Sequence, residues 1–102
     1  MFSSQDKLFM ERAIELAKES FDDGEVPVGA VIVQNEKIIG EGKNKVIFEN
    51  DVTSHAEINA IRAASKKIKN YRLNDCSMYV TLEPCHMCAK AAVDARMSSV
   101  IF

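Results

Sequence analysis

Thr81-Leu82-Glu83-Pro84-Cys85-His86-Met87-Cys88 is the stretch on which the rest of the chain turns. Its Cys-x-x-Cys pair follows a proline directly. A second short stretch, His55-Ala56-Glu57, lies well upstream. A catalytic zinc site takes three protein ligands and leaves one position open. His55, Cys85 and Cys88 supply three such ligands, and Glu57 remains as a carboxylate free to move protons. Each half alone has a plainer reading. A Cys-x-x-Cys can be half of a structural zinc site or a redox pair. An all-cysteine site needs four thiols, however, and the chain has three cysteines. A redox pair would leave His55 and Glu57 without a role. Ser54-x-x-Glu57 by itself matches a helix capping box. The combination of His-x-Glu with Pro-Cys-x-x-Cys is what points to zinc chemistry. Cys76 belongs to no pair and is expected in the core.

Helix geometry constrains how these residues meet. Positions two apart on a helix diverge by about 200°. His55 and Glu57 therefore converge on one metal only at a helix end. Ser54 as N-cap would place them there. Cys85 and Cys88 are three apart and share a face. Pro84 at a first helical position would put both in a first turn. The site should thus lie end-on to two helix N-termini, whose positive ends favour thiolates.

Length and composition fit one domain. The chain has 102 residues, of which 47% are hydrophobic, enough for a packed core. No stretch is long and apolar enough to span a membrane. The start lacks a basic segment followed by an apolar run, so no signal peptide is expected. A reducing, cytoplasmic location is the corresponding expectation, and it suits thiolate ligands. The net charge of −2 does not announce a nucleic-acid binder, but the charge is uneven. Residues 1–57 carry 6 Lys and Arg against 12 Asp and Glu, whereas residues 58–102 carry 7 against 3. Arg62, Lys66, Lys67, Lys69 and Arg72 form a run without an acid. A solvated helix face is the simpler account of it, with phosphate contact as the alternative.

Along the chain, residues 4–22 show apolar positions at three- and four-residue spacing, the mark of an amphipathic helix capped by Ser3 or Ser4 and ended at Asp23-Gly24. Val28–Val33 is a near-continuous apolar run suited to a buried strand. Asn35-Glu36-Lys37 turns the chain into a returning strand, Ile38–Gly42, where Gly40 and Gly42 mark a bulge or close backbone approach. Residues 43–53 read as an irregular loop able to line a site. A helix over 54–69, a strand over Met78–Leu82, a helix from Pro84 to about Arg96 and a strand from Ser99 complete the order α-β-β-α-β-α-β. Crossover helices imply parallel pairing for the later strands.

These residues resemble the cytidine-deaminase-like superfamily and, more narrowly, the tRNA-specific adenosine deaminases. Besides the zinc motifs, the likeness runs through Glu25–Ala30, Gly40–Asn44, Asn70–Leu73 and Tyr79–Cys85. It implies a three-layer α/β/α fold with a mixed sheet. It implies His55, Cys85 and Cys88 as ligands of Zn2+, Glu57 as the proton shuttle, and Val28, Asn44 and Ala56 as substrate contacts. The implied reaction is hydrolytic deamination of adenosine to inosine at the wobble position of a tRNA anticodon, by a homodimer. Asp51-Val52-Thr53 departs from the family's usual Asp-Pro-Thr, and His86 fills a variable position as a bystander. The family pattern continues past Phe102 with a strand, a loop and helices that help hold RNA. The expectation is therefore a chain truncated after its fourth strand, with a weakened grip on the anticodon arm. A free-base deaminase acting on cytosine or guanine is one alternative. An inactive zinc-binding or dimerising module is the other.

Overall fold

Ala30, Val31, Ile32 and Val33 are all buried, which makes their strand the floor of two cores at once. A computed structural model describes residues 3–102. The elements are α1 (Ser4–Asp22), β1 (Gly29–Gln34), β2 (Lys37–Lys43), α2 (Val46–Glu49), α3 (Ala56–Ile68), β3 (Cys76–Val80), α4 (His86–Asp94) and β4 (Ser99–Ile101). They form one mixed sheet of order β2-β1-β3-β4, with β4 parallel to β3 and the other pairs antiparallel. Alternation along β1 divides the cores. Val31 and Val33 join Leu16 and Tyr79 beneath α1. Ala30 and Ile32 join Met78, Val80 and the alanines of α3 on the other face, where α4 also packs. The result is the α/β/α sandwich that the resemblance implies.

Several boundaries differ from the sequence expectations, each for a local reason. The loop over 43–53 contains the one-turn helix α2, ended by Asn50 in the left-handed conformation at φ 52°. Strand β3 starts at Cys76 and ends at Val80, because Thr81 is drawn off to serve β1: the Gly29 N–H donates to Thr81 Oγ1 at 3.2 Å. Ser54 does not cap α3. Its hydroxyl turns inward to Glu49 and accepts from Asn59 Nδ2, so His55 takes the N-cap position. Pro84 is not helical either; Cys85 is the N-cap and α4 begins at His86. At the other end of the molecule the expected cap holds. Ser3 and Asp6 form a reciprocal capping box, and Asp6 also accepts the buried Tyr79 hydroxyl.

Two features fix the helices on the sheet. A Cβ added to Gly42 would lie 2.1 Å from the Ala56 carbonyl oxygen and 2.4 Å from the Ala60 nitrogen. Helix α3 therefore rests backbone to backbone on the end of β2, at Ala56, Asn59 and Ala60. On the opposite face, Arg12 of α1 grips Glu41 of β2 with two bonds of 2.7 and 2.9 Å. That hydrogen-bonded pairing holds the Glu41 carboxyl below its ordinary range.

Gly42→Ala should lower the denaturant midpoint by the equivalent of roughly 1–3 kcal/mol, the usual cost of overpacking. It should also loosen zinc retention, since α3 carries His55; an unchanged midpoint would contradict the close approach. Glu41→Gln tests the pair through pH. A depressed folded pKa adds stability above the ordinary carboxylate value of 4.5, and that stability disappears as pH falls through the folded value. The variant should therefore be less stable than wild type at neutral pH, by at most about 1 kcal/mol for so exposed a pair. The two should converge in acid, as followed by urea melts across pH.

Candidate metal centre

His55 and Cys85 occupy the N-cap positions of α3 and α4, and neither side chain caps its own helix. N-caps are usually Ser, Thr, Asp or Asn, whose oxygen accepts a backbone N–H. Here the two side chains turn to each other instead. His55 Nδ1 lies 3.6 Å from Cys85 Sγ and 3.5 Å from Cys88 Sγ. All three ligand atoms fall within 4.8 Å of one another. A tetrahedral ion with zinc's ordinary bond lengths would separate nitrogen from sulfur by about 3.6 Å. The donor set thus fits zinc in type, number and spacing. His86 is exposed and outside the group, as its bystander reading requires.

The segments that carry these ligands are tied down individually. Thr81 exchanges bonds with Gly29 through its own N–H, at 3.1 Å, and its hydroxyl, which fixes the approach to Cys85. The segment before His55 is held by Lys45 N–H to the Ser54 carbonyl at 2.9 Å and by Asp51, whose carboxylate accepts from both Thr53 N–H and hydroxyl. Asn59 reaches back from α3 to Ser54 and to the Lys43 carbonyl, so β2 and the start of α3 form one piece.

Beside the ligands opens a cavity of about 400 Å³. His55, Glu57 and Cys85 stand at one end, and Val28 and Asn44 contribute to its wall. Glu57 is only 5% exposed yet lines this space, so its carboxylate faces the cavity from within the first turn of α3. Asn44 is held by its backbone, N–H to Val28 and carbonyl from the buried Ser20 hydroxyl. Its side-chain amide has no partner among the described residues. Ala56 is fully buried and packs in the core beside Ala60 rather than on the cavity wall. Burial first, then the Glu57 carboxylate and Cys85, push the Cys88 thiol up. A cation entering this site must therefore displace a proton.

Sequence reasoning missed Glu25. Its buried carboxylate accepts the Ile47 and Phe48 N–H groups at 3.0 and 2.8 Å and thereby anchors α2 at the cavity. No local pattern reveals a cap supplied from twenty-odd residues away. The exposed Ile47 and Phe48 were the available signal, apolar residues in an otherwise polar loop.

The family model for the cytidine and deoxycytidylate deaminase zinc-binding region matches residues 3–102. The chain is similar to a tRNA-specific adenosine deaminase of Buchnera aphidicola (subspecies Baizongia pistaciae), with 55% identity over 97 residues, covering 95% of this chain and 60% of that protein. Among solved structures it resembles a guanine deaminase from Bacillus subtilis, at a TM-score of 0.90 and 46% identity, covering 93% of this chain and 61% of that one. It equally resembles a structure from work on A-to-I editing by tRNA:A34 deaminases at the wobble position, at a TM-score of 0.90 and 42% identity, covering 92% of this chain and 72% of that one. The chain thus spans well short of the full length of the proteins it matches.

Purified protein should carry one zinc per chain, and Cys88→Ala should lose it. Metal analysis of both, alongside circular dichroism to confirm folding, checks the ligand set. Equal zinc in the two would remove Cys88 from it.

Proposed function

The chain belongs to the cytidine and deoxycytidylate deaminase zinc-binding family, and from that premise we propose that it deaminates adenosine to inosine at the wobble position of a tRNA. The observation that carries this reading is the buried Glu57, which lines one cavity with His55 and Cys85, two of the three clustered ligand residues. A bound zinc ion supplies the Lewis acidity that makes water a nucleophile near neutral pH. Glu57 is the general acid and base. It takes the proton from water and delivers it to the purine ring nitrogen, then assists departure of the amino group as ammonia. Net, water replaces the exocyclic amine with a carbonyl. Cavity walls of Val28, Val46 and Ile47 exclude water from the ring faces, and the free Asn44 amide offers hydrogen bonds to the base edge.

The tRNA substrate is supported by the named activities of the relatives. A free-base reading stays in play through the Bacillus subtilis guanine deaminase, which is as similar in fold. We place the protein in a reducing cytoplasm, in keeping with three free cysteines of which two are ligands. We also propose a homodimer. An apolar hollow of about 520 Å³ along α4 and β4, lined by Val93, Met97, Val100 and Phe102, supports that reading.

Glu57→Gln should retain zinc and lose about 10²–10⁴-fold in turnover, the usual worth of a positioned proton carrier. The assay compares an anticodon stem-loop with free adenosine, guanine and cytosine. Inosine formed only in the stem-loop supports the tRNA reading; guanine turnover without it selects the free-base reading. Zinc loss in Glu57→Gln would make Glu57 a ligand instead.

A further inference from the structure

Phe48 is 79% exposed, the second most exposed of the large hydrophobic side chains, yet its backbone is among the better-held segments of the site. Its N–H is bound by the buried Glu25 carboxylate, and the preceding Lys45 is fastened to Ser54, the neighbour of His55. The sequence neighbour of Phe48, Ile47, is exposed as well, and adjoining exposed apolar side chains on a held backbone mark a partner surface where an isolated one would not. The ring borders a second hollow of about 300 Å³, shared with Asp23, Glu25, Lys43 and Lys45. Glu25 lines both this hollow and the metal cavity, so the two lie against the same residue.

The charges of the second hollow are unequally committed. The Glu25 carboxylate is used by two backbone N–H groups. Asp23 is paired with Lys43 at 3.1 Å, and Lys43 also reaches Glu19. Among the described residues Lys45 is in no ion pair, and its ammonium stands 5.9 Å from the Phe48 ring centre. An aromatic ring with an ammonium over one face and in no ion pair, on a hollow that shares Glu25 with the metal cavity, matches a base stacked on the ring and its phosphate.

We propose that Phe48 and Lys45 form a platform for the nucleotide next to the reacting one in a single-stranded RNA, with the base stacked on the Phe48 ring and its phosphate held by Lys45. This rests on the tRNA reading and deepens it: the cavity takes the target base, and the platform takes its neighbour. A free purine base has no such neighbour and would leave the platform unused.

The test measures binding of zinc-loaded protein to a fluorescent anticodon stem-loop, by anisotropy, separately from deamination. Phe48→Ala should weaken binding about 5- to 150-fold, the range for one stacked base, while Phe48→Trp restores it. Activity on free adenosine or guanine, whichever the wild type turns over, should not change in either variant. Lys45→Ala should lower the salt dependence of binding by about one phosphate contact. Equal binding by wild type and Phe48→Ala overturns the platform, as does absence of stem-loop binding by wild type. A change of oligomeric state in Phe48→Ala, without loss of RNA binding, gives the face to a second copy and overturns it too. If Phe48→Ala weakens binding but no inosine forms with wild type, the platform stands and the tRNA deaminase reading fails.

Discussion

Everything at the metal centre depends on how closely α3 can lie on β2. A helix packed through ordinary side chains stands some 8–10 Å from its neighbour. Here Gly40 and Gly42 present bare backbone, and Ala56, Ala60 and Ala64 meet it. The start of α3 therefore sits directly over the end of β2, and residues 43–45 pass beside it. Two things follow from that proximity. Asn59 can hydrogen-bond across to the Lys43 carbonyl, and Lys45 can bond the Ser54 carbonyl. Asn44, between those two anchored lysines, is thereby fixed in the lining of the cavity that Glu57 also lines. A larger residue at position 42 would lift the helix and separate the ligand from the wall that faces it.

The N-cap positions show what the site takes from stability. Each helix that begins at the metal has lost its conventional cap, a contribution of typically about 1 kcal/mol. Ser54 stands one residue from the N-cap of α3 and is diverted to bind Glu49 and Asn59. In exchange, His55 and Cys85 stand at the positive dipole ends of α3 and α4, where thiolate ligands are favoured. Bound metal returns folding free energy through the same residues. Helix α1 has no such duty and keeps a complete capping box.

The sequence made the ligands legible because their chemistry is tied to residue type and spacing. Three cysteines, two of them spaced as Cys-x-x-Cys, and a His-x-Glu leave few other uses. The element order was legible for a similar reason: the near-continuous apolar run of β1 marks a strand buried on both faces, and the helices between later strands force a crossover, seen in the parallel β3–β4 pair. Boundaries were not legible where a side chain was claimed by a distant partner. Ser54 looks like a cap in its own window, and only Glu49 and Asn59 reveal otherwise. Helix α2 has no local cap and depends on Glu25, far up the chain. Ala56 stands between two functional residues in sequence, yet the helix turns its side chain into the core.

Substrate choice is decided farther from the metal than the chemistry is. In the proposed reaction, zinc held by His55, Cys85 and Cys88 would activate the water that attacks an amine-bearing ring carbon while Glu57 moves the proton, a demand common to adenosine and guanine. Discrimination must come from groups that one substrate reaches and the other does not. Within the cavity these are few: Val28, Ile47 and the Asn44 amide would contact either purine. The lining also includes Val26 and Leu82, and Phe48 borders the second hollow, all three well exposed. Such apolar rims weaken water's hold on anything that stacks there, and only a polymer presents further bases to stack. The rigid fixing of α2 by Glu25 then has a purpose beyond shaping the cavity. By accepting the Ile47 and Phe48 N–H groups, Glu25 fixes the segment on which the proposed platform stands, so a nucleotide seated there would help position its neighbour in the cavity.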